Sequence, residues 1–366
     1  MSIEHIMLKT HRTRSNIYPT SNTSSRNCLG FVLLCLTPKP PSQPSPYCCP
    51  SHPFYTRGNR RSRNQRYQSI SLIMNTVNSE YTFPDPSGTR IPFPSVFANP
   101  EKSLTVVVPA YNEEERLPSM MNETLAYLEA QCAKEPGFSY EVIVADDGSR
   151  DRTSDVAYEY TKAYSSDKVR VLRLIKNAGK GGAVKRGVMA ARGAAILFCD
   201  ADGATRFSDL AKLRLAYDQM MRQSGASDGS AAICVIGSRY LANASVERTL
   251  ARRIVSEGFR YYVQIVAGVT GIKDTQCGFK LFSRAAAQIV FPGQHLERWA
   301  FDVEILYRAQ LANIPIQEVA VQWTEIPGSK LSVIKATLNM SRDMAYMRWQ
   351  YLTGAWSASD LAVSTR

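Results

Sequence analysis

Two aspartates one residue apart, Asp200 and Asp202, are the side chains whose type and spacing best suit metal chemistry in this chain. They directly follow the apolar run 194–199, which is typical of a buried strand. Side chains alternate along an extended backbone, so the two carboxylates would point the same way. Paired carboxylates at a strand end suit a divalent cation that holds a diphosphate. The alternative is a simple acidic turn, since Asp-x-Asp alone is a short pattern.

Apolar runs and helical periodicity alternate along the chain that leads to this pair. Runs at 104–109, 140–145, 169–175 and 194–199 predict strands, and segments 118–131, 151–164 and 182–191 predict helices. This alternation predicts an α/β fold with a parallel sheet. Ligands of such sheets bind beyond the carboxyl ends of the strands, so the polar residues that follow each strand form the candidate site.

The loop after the first predicted strand begins with Pro109 and contains Tyr111, Asn112 and Glu113. A tyrosine ring can stack on a base, and the asparagine and glutamate offer hydrogen-bond partners to a nucleoside. The alternative is the start of a helix with acidic residues in its first turn, where they complement the helix dipole.

The loops after the second and third predicted strands offer groups for a ribose and a phosphate. Asp146 and Asp147 can accept hydrogen bonds from a ribose hydroxyl or a base, and the alternative is a turn that caps the next helix. Lys180 lies among glycines that lead into a helix, which suits a phosphate at the helix N-terminus. A plain loop-to-helix turn is the alternative there, because the spacing of a P-loop is absent.

Charge and cysteine content exclude several classes of function. The net charge is +12, but +9 of it lies in residues 1–79, which hold ten Lys and Arg against the single Glu4. A nucleic-acid interface on the folded surface is therefore not expected. None of the eight cysteines forms a CxxC pair, which argues against a zinc site and a disulfide framework and favours reduced thiols in a reducing compartment.

Taken together, these motifs resemble the family 2 glycosyltransferases with the GT-A fold. The matching segments are 109–114, 146–149, 176–182, 200–205, 237–240, 274–280, 298–304, 328–331 and 348–356. The resemblance covers residues 93–356. The spelling of segments 200–205, 298–304 and 351–356 resembles the members that transfer glucose to dolichyl phosphate more than those that transfer mannose.

The resemblance implies the architecture of a nucleotide-diphospho-sugar transferase, in which helices cover both faces of a mostly parallel central sheet. It also divides the chain into three parts. Residues 1–92 would form a low-complexity, disordered extension, residues 93–330 the GT-A domain, and residues 331–366 a C-terminal amphipathic helix and tail.

The implied activity is the metal-dependent, inverting transfer of glucose from UDP-glucose to dolichyl phosphate, which serves the assembly of an N-glycan precursor. Two alternatives stay open: transfer of mannose from GDP-mannose, and a nucleotide-sugar-binding protein without turnover. The motif spelling favours glucose, while the chemistry of the residues alone does not separate a uracil from a guanine pocket.

The resemblance also assigns roles to single residues. Asp200 and Asp202 would hold Mg²⁺ or Mn²⁺, and Asp302 would occupy the position of a base. The other implied positions are Pro109, Tyr111, Glu113, Asp146, Asp147 and Lys180 for the nucleotide sugar, and Arg239, Arg252 and Lys330 for the acceptor phosphate. Mannosyl relatives carry a glutamine where this chain has Ala204, so a third metal ligand is not assigned.

Two segments of the sequence bear on attachment to a membrane. Related enzymes usually begin with a membrane-spanning helix, and no such segment is evident here, because the run 28–36 is far shorter than the roughly 20 residues that a crossing needs. Segment 333–351 is a candidate amphipathic helix with Lys335, Arg342 and Arg348 toward anionic headgroups. The alternative is a helix packed on the domain. The expected location is the cytosolic face of the endoplasmic reticulum membrane, and the oligomeric state is not predicted.

Overall fold

The computed structural model describes residues 82–84, 89–226, 230–241, 258, 260–324, 326 and 333–356. The chain divides into two units, residues 1–58 and 59–366, and the first lies outside the described residues. Arg252 and Lys330 also lie outside them. The predicted domain boundaries at 92/93 and 330/331 stay predictions.

The described strands and helices alternate through most of the chain. The strands are β1 Thr82–Pro84, β2 Arg90–Pro92, β3 Lys102–Ala110, β4 Tyr140–Asp146, β5 Val169–Arg173, β6 Gly193–Cys199, β7 Cys234–Ser238, β8 Phe279–Ser283 and β9 Ile316–Ala320. The α-helices are α1 Leu117–Lys134, α2 Thr153–Tyr164, α3 Lys180–Met189, α4 Leu210–Gln223, α5 Arg284–Val290, α6 Phe301–Leu311 and α7 Val333–Leu352. A π-helical turn occupies Val263–Ala267.

Seven of the strands form one sheet in the order β5-β4-β3-β6-β8-β7-β9. All neighbouring pairs are parallel except those that β8 makes with β6 and β7. The predicted mostly parallel sheet is confirmed, and every predicted strand and helix before residue 200 is present within a few residues of its predicted ends.

Helices cover both faces of the sheet because the strand side chains alternate between two cores. Val107 packs in a core that includes residues of α3, α5, α6 and α7. Its neighbours Val106 and Val108 point to the other face and pack with residues of α1 and α4. Met344 and Met347 bring α7 into the first core, so this helix is packed on the domain as the alternative prediction had it.

The side of the sheet to which successive strands are added changes between β3 and β6. From β3 the chain adds β4 and β5 on one side and then returns to place β6 on the other. In open α/β sheets such a switch point opens a crevice at the carboxyl ends of the strands, where ligands bind. Asp200, directly after β6, lies at this position. Among the described residues, no helix combines the length and apolar character needed to cross a bilayer.

Candidate active site

Asp200 and Lys180 form an ion pair at the carboxyl edge of the sheet. Lys180 is the first residue of α3, and its Nζ lies 2.6 Å from Oδ1 of Asp200. Burial alone would lower the pKa of Lys180, but the carboxylates of Asp200 and Asp302 outweigh burial and raise it above its usual value. The lysine is therefore a fixed positive charge beside the first aspartate of the pair.

The position of the Asp200 carboxylate depends on a neighbouring glycine. The backbone N–H of Asp200 donates to the carbonyl oxygen of Gly278 at 3.2 Å. A Cβ built on Gly278 would overlap the carboxyl group of Asp200. The residue before β8 must therefore be glycine for the aspartate to lie against the backbone, which explains Gly278 in the segment 277–280.

Asp202 lies in the turn that follows β6, where its Oδ1 accepts a hydrogen bond from Ala204 N–H at 2.9 Å. Burial raises the pKa of Asp202, and the negative charge of Asp200 raises it further. A cation bound beside Asp202 would offset both of these effects.

The donor set of this pair fits a divalent metal ion. No group of three or more His, Cys, Asp or Glu side chains suited to a metal is present in the part of the chain that the structure describes. Mg²⁺ commonly uses only one or two protein carboxylates and completes its shell with water and substrate phosphates. Asp200 and Asp202 supply that number of ligands and leave room for a diphosphate.

Asp147 organises the glycine turn that leads into α3. Its carboxylate accepts hydrogen bonds from the backbone N–H groups of Ala178 at 2.7 Å and Gly179 at 2.8 Å. Burial raises its pKa, although these two bonds oppose that effect. Gly179 has a φ of +95°, and a side chain there would overlap the carbonyl oxygen of Glu297. Asp147 thus connects the loop after β4 to the turn that presents Lys180.

Asp146 has a different environment from its neighbour. Its side chain is fully buried, accepts from Ser149 N–H at 2.8 Å and from the hydroxyl of Ser154, and so stabilises the start of the loop to α2. These contacts form a turn after β4, but they do not cap α2, whose N-cap residue makes no side-chain capping hydrogen bond. A contact between Asp146 and a nucleotide stays a prediction.

The loop after β3 lies beside the loop after β4. Pro109 is buried within β3, and Tyr111 is 39% exposed, which leaves its ring open to a ligand. Glu113 accepts hydrogen bonds from Nε and Nη2 of Arg116 at 2.7 and 2.6 Å. Burial raises the pKa of Glu113 despite this partner, and Asp202 and Asp200 act in the same direction. Glu113 therefore interacts electrostatically with the aspartate pair.

Asp302, in the first turn of α6, is buried against a lysine that the sequence analysis did not single out. Lys280 Nζ lies 2.5 Å from Oδ1 of Asp302 and donates to the carbonyl oxygen of Cys277 at 2.6 Å. Burial raises the pKa of Asp302, although Lys280 and Lys180 oppose that effect. With 3% of its side chain exposed, Asp302 has the surroundings of a charge partner, and its role as a base stays a prediction.

Arg239 also has a partner that sequence reasoning missed. Its Nε and Nη2 donate to the carboxylate of Asp274, both at 2.8 Å, and Asp274 accepts the Arg239 backbone N–H as well at 2.9 Å. Burial would lower the pKa of Arg239, but Asp274 raises it, so the guanidinium stays charged. The Arg239 side chain also lies 5.6 Å from the ring centre of Trp323.

The structure brings together most of the predicted donor and metal residues. Lys180 pairs with Asp200, the charges of Asp200 and Asp302 raise the pKa of Lys180, and Asp147 binds the glycine turn that presents this lysine. Of the three predicted acceptor-phosphate residues, Arg239 is paired with Asp274, and Arg252 and Lys330 lie outside the described residues.

Comparison with known proteins gives matches of sequence and of fold. Residues 105–288 match the model of "Glycosyl transferase family 2". The chain is 49% identical over 281 residues to the dolichyl-phosphate beta-glucosyltransferase of Homo sapiens, covering 76% of this chain and 84% of that protein. The protein of the same name from Drosophila melanogaster is 50% identical over 286 residues, with coverage of 77% and 86%. The one from Saccharomyces cerevisiae is 37% identical over 259 residues, with coverage of 69% and 76%.

Solved structures with a similar arrangement include glucosyl-3-phosphoglycerate synthase from Mycobacterium tuberculosis in complex with UDP. That match has a TM-score of 0.47 and 19% identity, and it covers 72% of this chain and 82% of that one. The same enzyme crystallised with Mn²⁺, UDP and phosphoglyceric acid gives a TM-score of 0.42 at 18% identity, with coverage of 68% and 78%.

Proposed function

The chain belongs to glycosyl transferase family 2, and within it to the dolichyl-phosphate β-glucosyltransferases, and we propose that it transfers glucose from UDP-glucose to dolichyl phosphate with inversion. The proposal rests on one observation: hydrogen bonds and an ion pair connect three loops at the switch point. Asp147 binds the glycine turn, the turn presents Lys180, and Lys180 pairs with Asp200. A nucleotide diphosphate laid along these loops would meet hydrogen-bond acceptors, an ammonium group and two carboxylates in sequence.

Asp200 and Asp202 are the residues proposed to hold Mg²⁺ or Mn²⁺. When bound, the ion supplies Lewis-acid stabilisation to the diphosphate of the departing UDP. Lys180 contributes a second positive charge at the same edge, and its raised pKa keeps it protonated at neutral pH. Asp302 and Lys280 form the buried charge pair behind it.

The nucleoside is proposed to lie against the loops after β3 and β4. Pro109 ends the buried part of β3, and the exposed ring of Tyr111 offers a surface on which a base stacks. Glu113 and Asp147 are proposed as acceptors for hydrogen bonds from the nucleoside, with Asp146 behind them in the turn. This placement leaves the diphosphate near Lys180.

The acceptor brings its own nucleophile. A phosphate monoester has a second pKa of about 6, so most of it is doubly ionised at neutral pH and needs positioning more than deprotonation. One of its oxygens forms a bond to the anomeric carbon while the bond from that carbon to UDP breaks. Arg239, Arg252 and Lys330 are proposed to hold this phosphate, since guanidinium groups bind phosphate oxygens in a bidentate manner.

The outer face of α7 is proposed to meet the lipid surface that carries the acceptor. Leu338, Tyr346, Trp349 and Leu352 are 53–67% exposed, and Arg342 points outward with them. A helix with aromatic, aliphatic and basic residues on one exposed face is typical of an interfacial helix. Arg348 differs from the sequence-based prediction, because its Nη1 donates inward to the hydroxyl of Tyr307 at 2.6 Å. The proposed location is the cytosolic face of the endoplasmic reticulum membrane.

A donor-competition assay tests the proposal. The full-length protein is incubated with dolichyl phosphate in detergent micelles, Mg²⁺ and either labelled UDP-glucose or labelled GDP-mannose, and the lipid-soluble label is counted. We expect label from UDP-glucose only. Transfer of mannose would assign the protein to the mannosyl members instead, and transfer of neither sugar would support nucleotide-sugar binding without turnover.

A further inference from the structure

One loop of the active site is held from behind by the C-terminal helix. The 292–300 loop, which joins α5 to α6, carries Trp299, and the ring centre of Trp299 lies 5.7 Å from Lys180 Nζ. The same loop supports the glycine turn before α3, because Gly182 N–H donates to the carbonyl oxygen of Glu297 at 2.9 Å. Gln294 adds a second bond, from its Nε2 to the carbonyl oxygen of Gly181 at 3.0 Å.

The glycine turn and the first residues of α3 pack closely against the 292–300 loop and Phe301. A Cβ on Gly181 would overlap the ring of Phe301, and one on Gly179 would overlap the carbonyl oxygen of Glu297. Lys185, in α3, donates to the carbonyl oxygen of Gln294 at 2.8 Å. A displacement of the 292–300 loop would therefore displace the turn that presents Lys180.

On its other side the loop is fixed by Glu304 of α6. This fully buried carboxylate accepts the backbone N–H of His295 at 2.9 Å and that of Leu296 at 2.6 Å, and it lies 3.0 Å from His295 Nδ1. Tyr351 of α7 donates its hydroxyl to the same carboxylate at 3.1 Å. Glu304 thus joins the loop to α7.

The ring of His295 makes a second connection to the end of α7. It stacks on Trp356 with ring centres 4.0 Å apart and planes 6° apart. Tyr346 and Tyr351 each meet Trp356 edge-on at 5.6 Å, so the indole sits among aromatic rings of α7. His295 is therefore the loop residue that contacts both Glu304 and the helix.

We propose that His295 is a positioning residue. Its ring links the position of α7 and Trp356 to that of the 292–300 loop, and the loop in turn holds Trp299 and Lys180 at the catalytic edge. The inference rests on the proposed function for its activity readout. It gives the C-terminal segment a function besides contact with lipid, because the packing of Trp356, which follows α7, sets the geometry of a charge beside the aspartate pair.

The test compares three variants of the full-length protein in detergent micelles, where binding to a bilayer does not enter. Trp356→Ala removes the stack from the helix side, His295→Ala removes it from the loop side while keeping the backbone bond to Glu304, and the third variant combines them. Initial rates with UDP-glucose and dolichyl phosphate give kcat and KM. Hydrogen–deuterium exchange reports opening of peptides that cover residues 176–189 and 292–300.

We expect each single variant to lower kcat by about tenfold or more, because misplacing a catalytic group by an ångström has effects of this size. Exchange should rise in both peptides. The double variant should be no worse than either single one, since the two rings act as a unit. Trp356→Phe, which keeps an aromatic ring on His295, should recover most of the rate.

Gln350→Ala is the matched control on the same helix. Gln350 bonds Trp356 N–H through its backbone carbonyl at 3.1 Å, which the substitution leaves in place, so this variant should behave as wild type. An unchanged kcat, a lower kcat without faster exchange in the two peptides, or additive losses in the double variant would each overturn the inference. A wild-type protein that transfers no glucose would refute the proposed function instead, and the exchange data would still decide whether the connection exists.

Discussion

Lys180 Nζ lies 2.6 Å from Oδ1 of Asp200, which places an ammonium group against the carboxylate expected to hold a metal. The pair joins the start of α3 to the end of β6. Because Asp200 and Asp302 raise its pKa, Lys180 stays charged through the neutral range. A positive charge at this edge suits the departing diphosphate.

Removing that charge should slow transfer without unfolding the protein. We expect Lys180→Ala to lower kcat by about 100-fold, the usual effect of deleting a preorganised group that stabilises developing charge. Lys162→Ala removes an exposed lysine that pairs with Glu159 on α2 and should keep the wild-type rate. Initial rates and melting temperatures are measured for both variants, and a Lys180→Ala protein with near wild-type kcat would remove the lysine from the proposed site.

Gly278 lies so close to Asp200 that adding a single methyl group at the glycine should displace the aspartate carboxylate. Gly278→Ala would force the carboxylate of Asp200 away from its place, at a cost of about 1–3 kcal/mol for an overpacked site, and should weaken Mn²⁺ binding in the presence of UDP. Gly258→Ala is the control, because a Cβ there meets no atom of the described residues within 4 Å. Calorimetric titration with Mn²⁺ gives the affinities, and equal values for both variants would contradict the predicted seating of Asp200.

The surroundings of Glu141 predict how the free energy of unfolding changes at acid pH. Its fully buried carboxylate bonds to Arg170 and Arg192; burial would raise its pKa, but the two arginines outweigh burial and hold it below the ordinary value. A group with a lowered folded pKa stabilises the protein above its unfolded pKa of about 4.3, and this contribution is lost as pH falls through the folded value.

Glu141→Gln should therefore lower the free energy of unfolding at neutral pH by about 3–5 kcal/mol, since it leaves Arg170 buried beside a neutral partner. It should also flatten the loss of stability at acid pH. Urea unfolding over a pH series measures both effects. Glu159→Gln removes an exposed pair and should change stability by less than about 1 kcal/mol. A steep acid transition that persists in Glu141→Gln would assign it to other carboxyl groups.

The exposed face of α7 predicts binding to lipid vesicles. Leu352→Ser removes an exposed apolar side chain from this face and should weaken binding to anionic vesicles about tenfold, the value of one buried leucine. Leu215→Ser changes an equally exposed leucine on α4 and should bind as the wild type does. Vesicle co-sedimentation compares the two variants, and equal binding would show that α7 meets something other than lipid.

The sequence predicted the strands up to residue 200 and the loops that carry chemistry, because apolar runs and turn residues are local signals. It did not predict that β8 runs antiparallel between β6 and β7, since strand pairing depends on partners far apart in the chain. For the same reason the buried partners Lys280 of Asp302 and Asp274 of Arg239 were missed. A lysine inside the apolar run 279–283 was the one signal that such a partner existed.

The dependence of glucose transfer on Mn²⁺ concentration, measured for wild type and Asp202→Asn with UDP-glucose and dolichyl phosphate, is the most direct test of the aspartate pair. Asp155→Asn, which changes an exposed aspartate of α2, serves as the control. We expect saturable activation of the wild type and the control, loss of activity on chelation, and no transfer by Asp202→Asn at any metal concentration. Full transfer by the chelated wild type, or a wild-type response by Asp202→Asn, would contradict the proposed site.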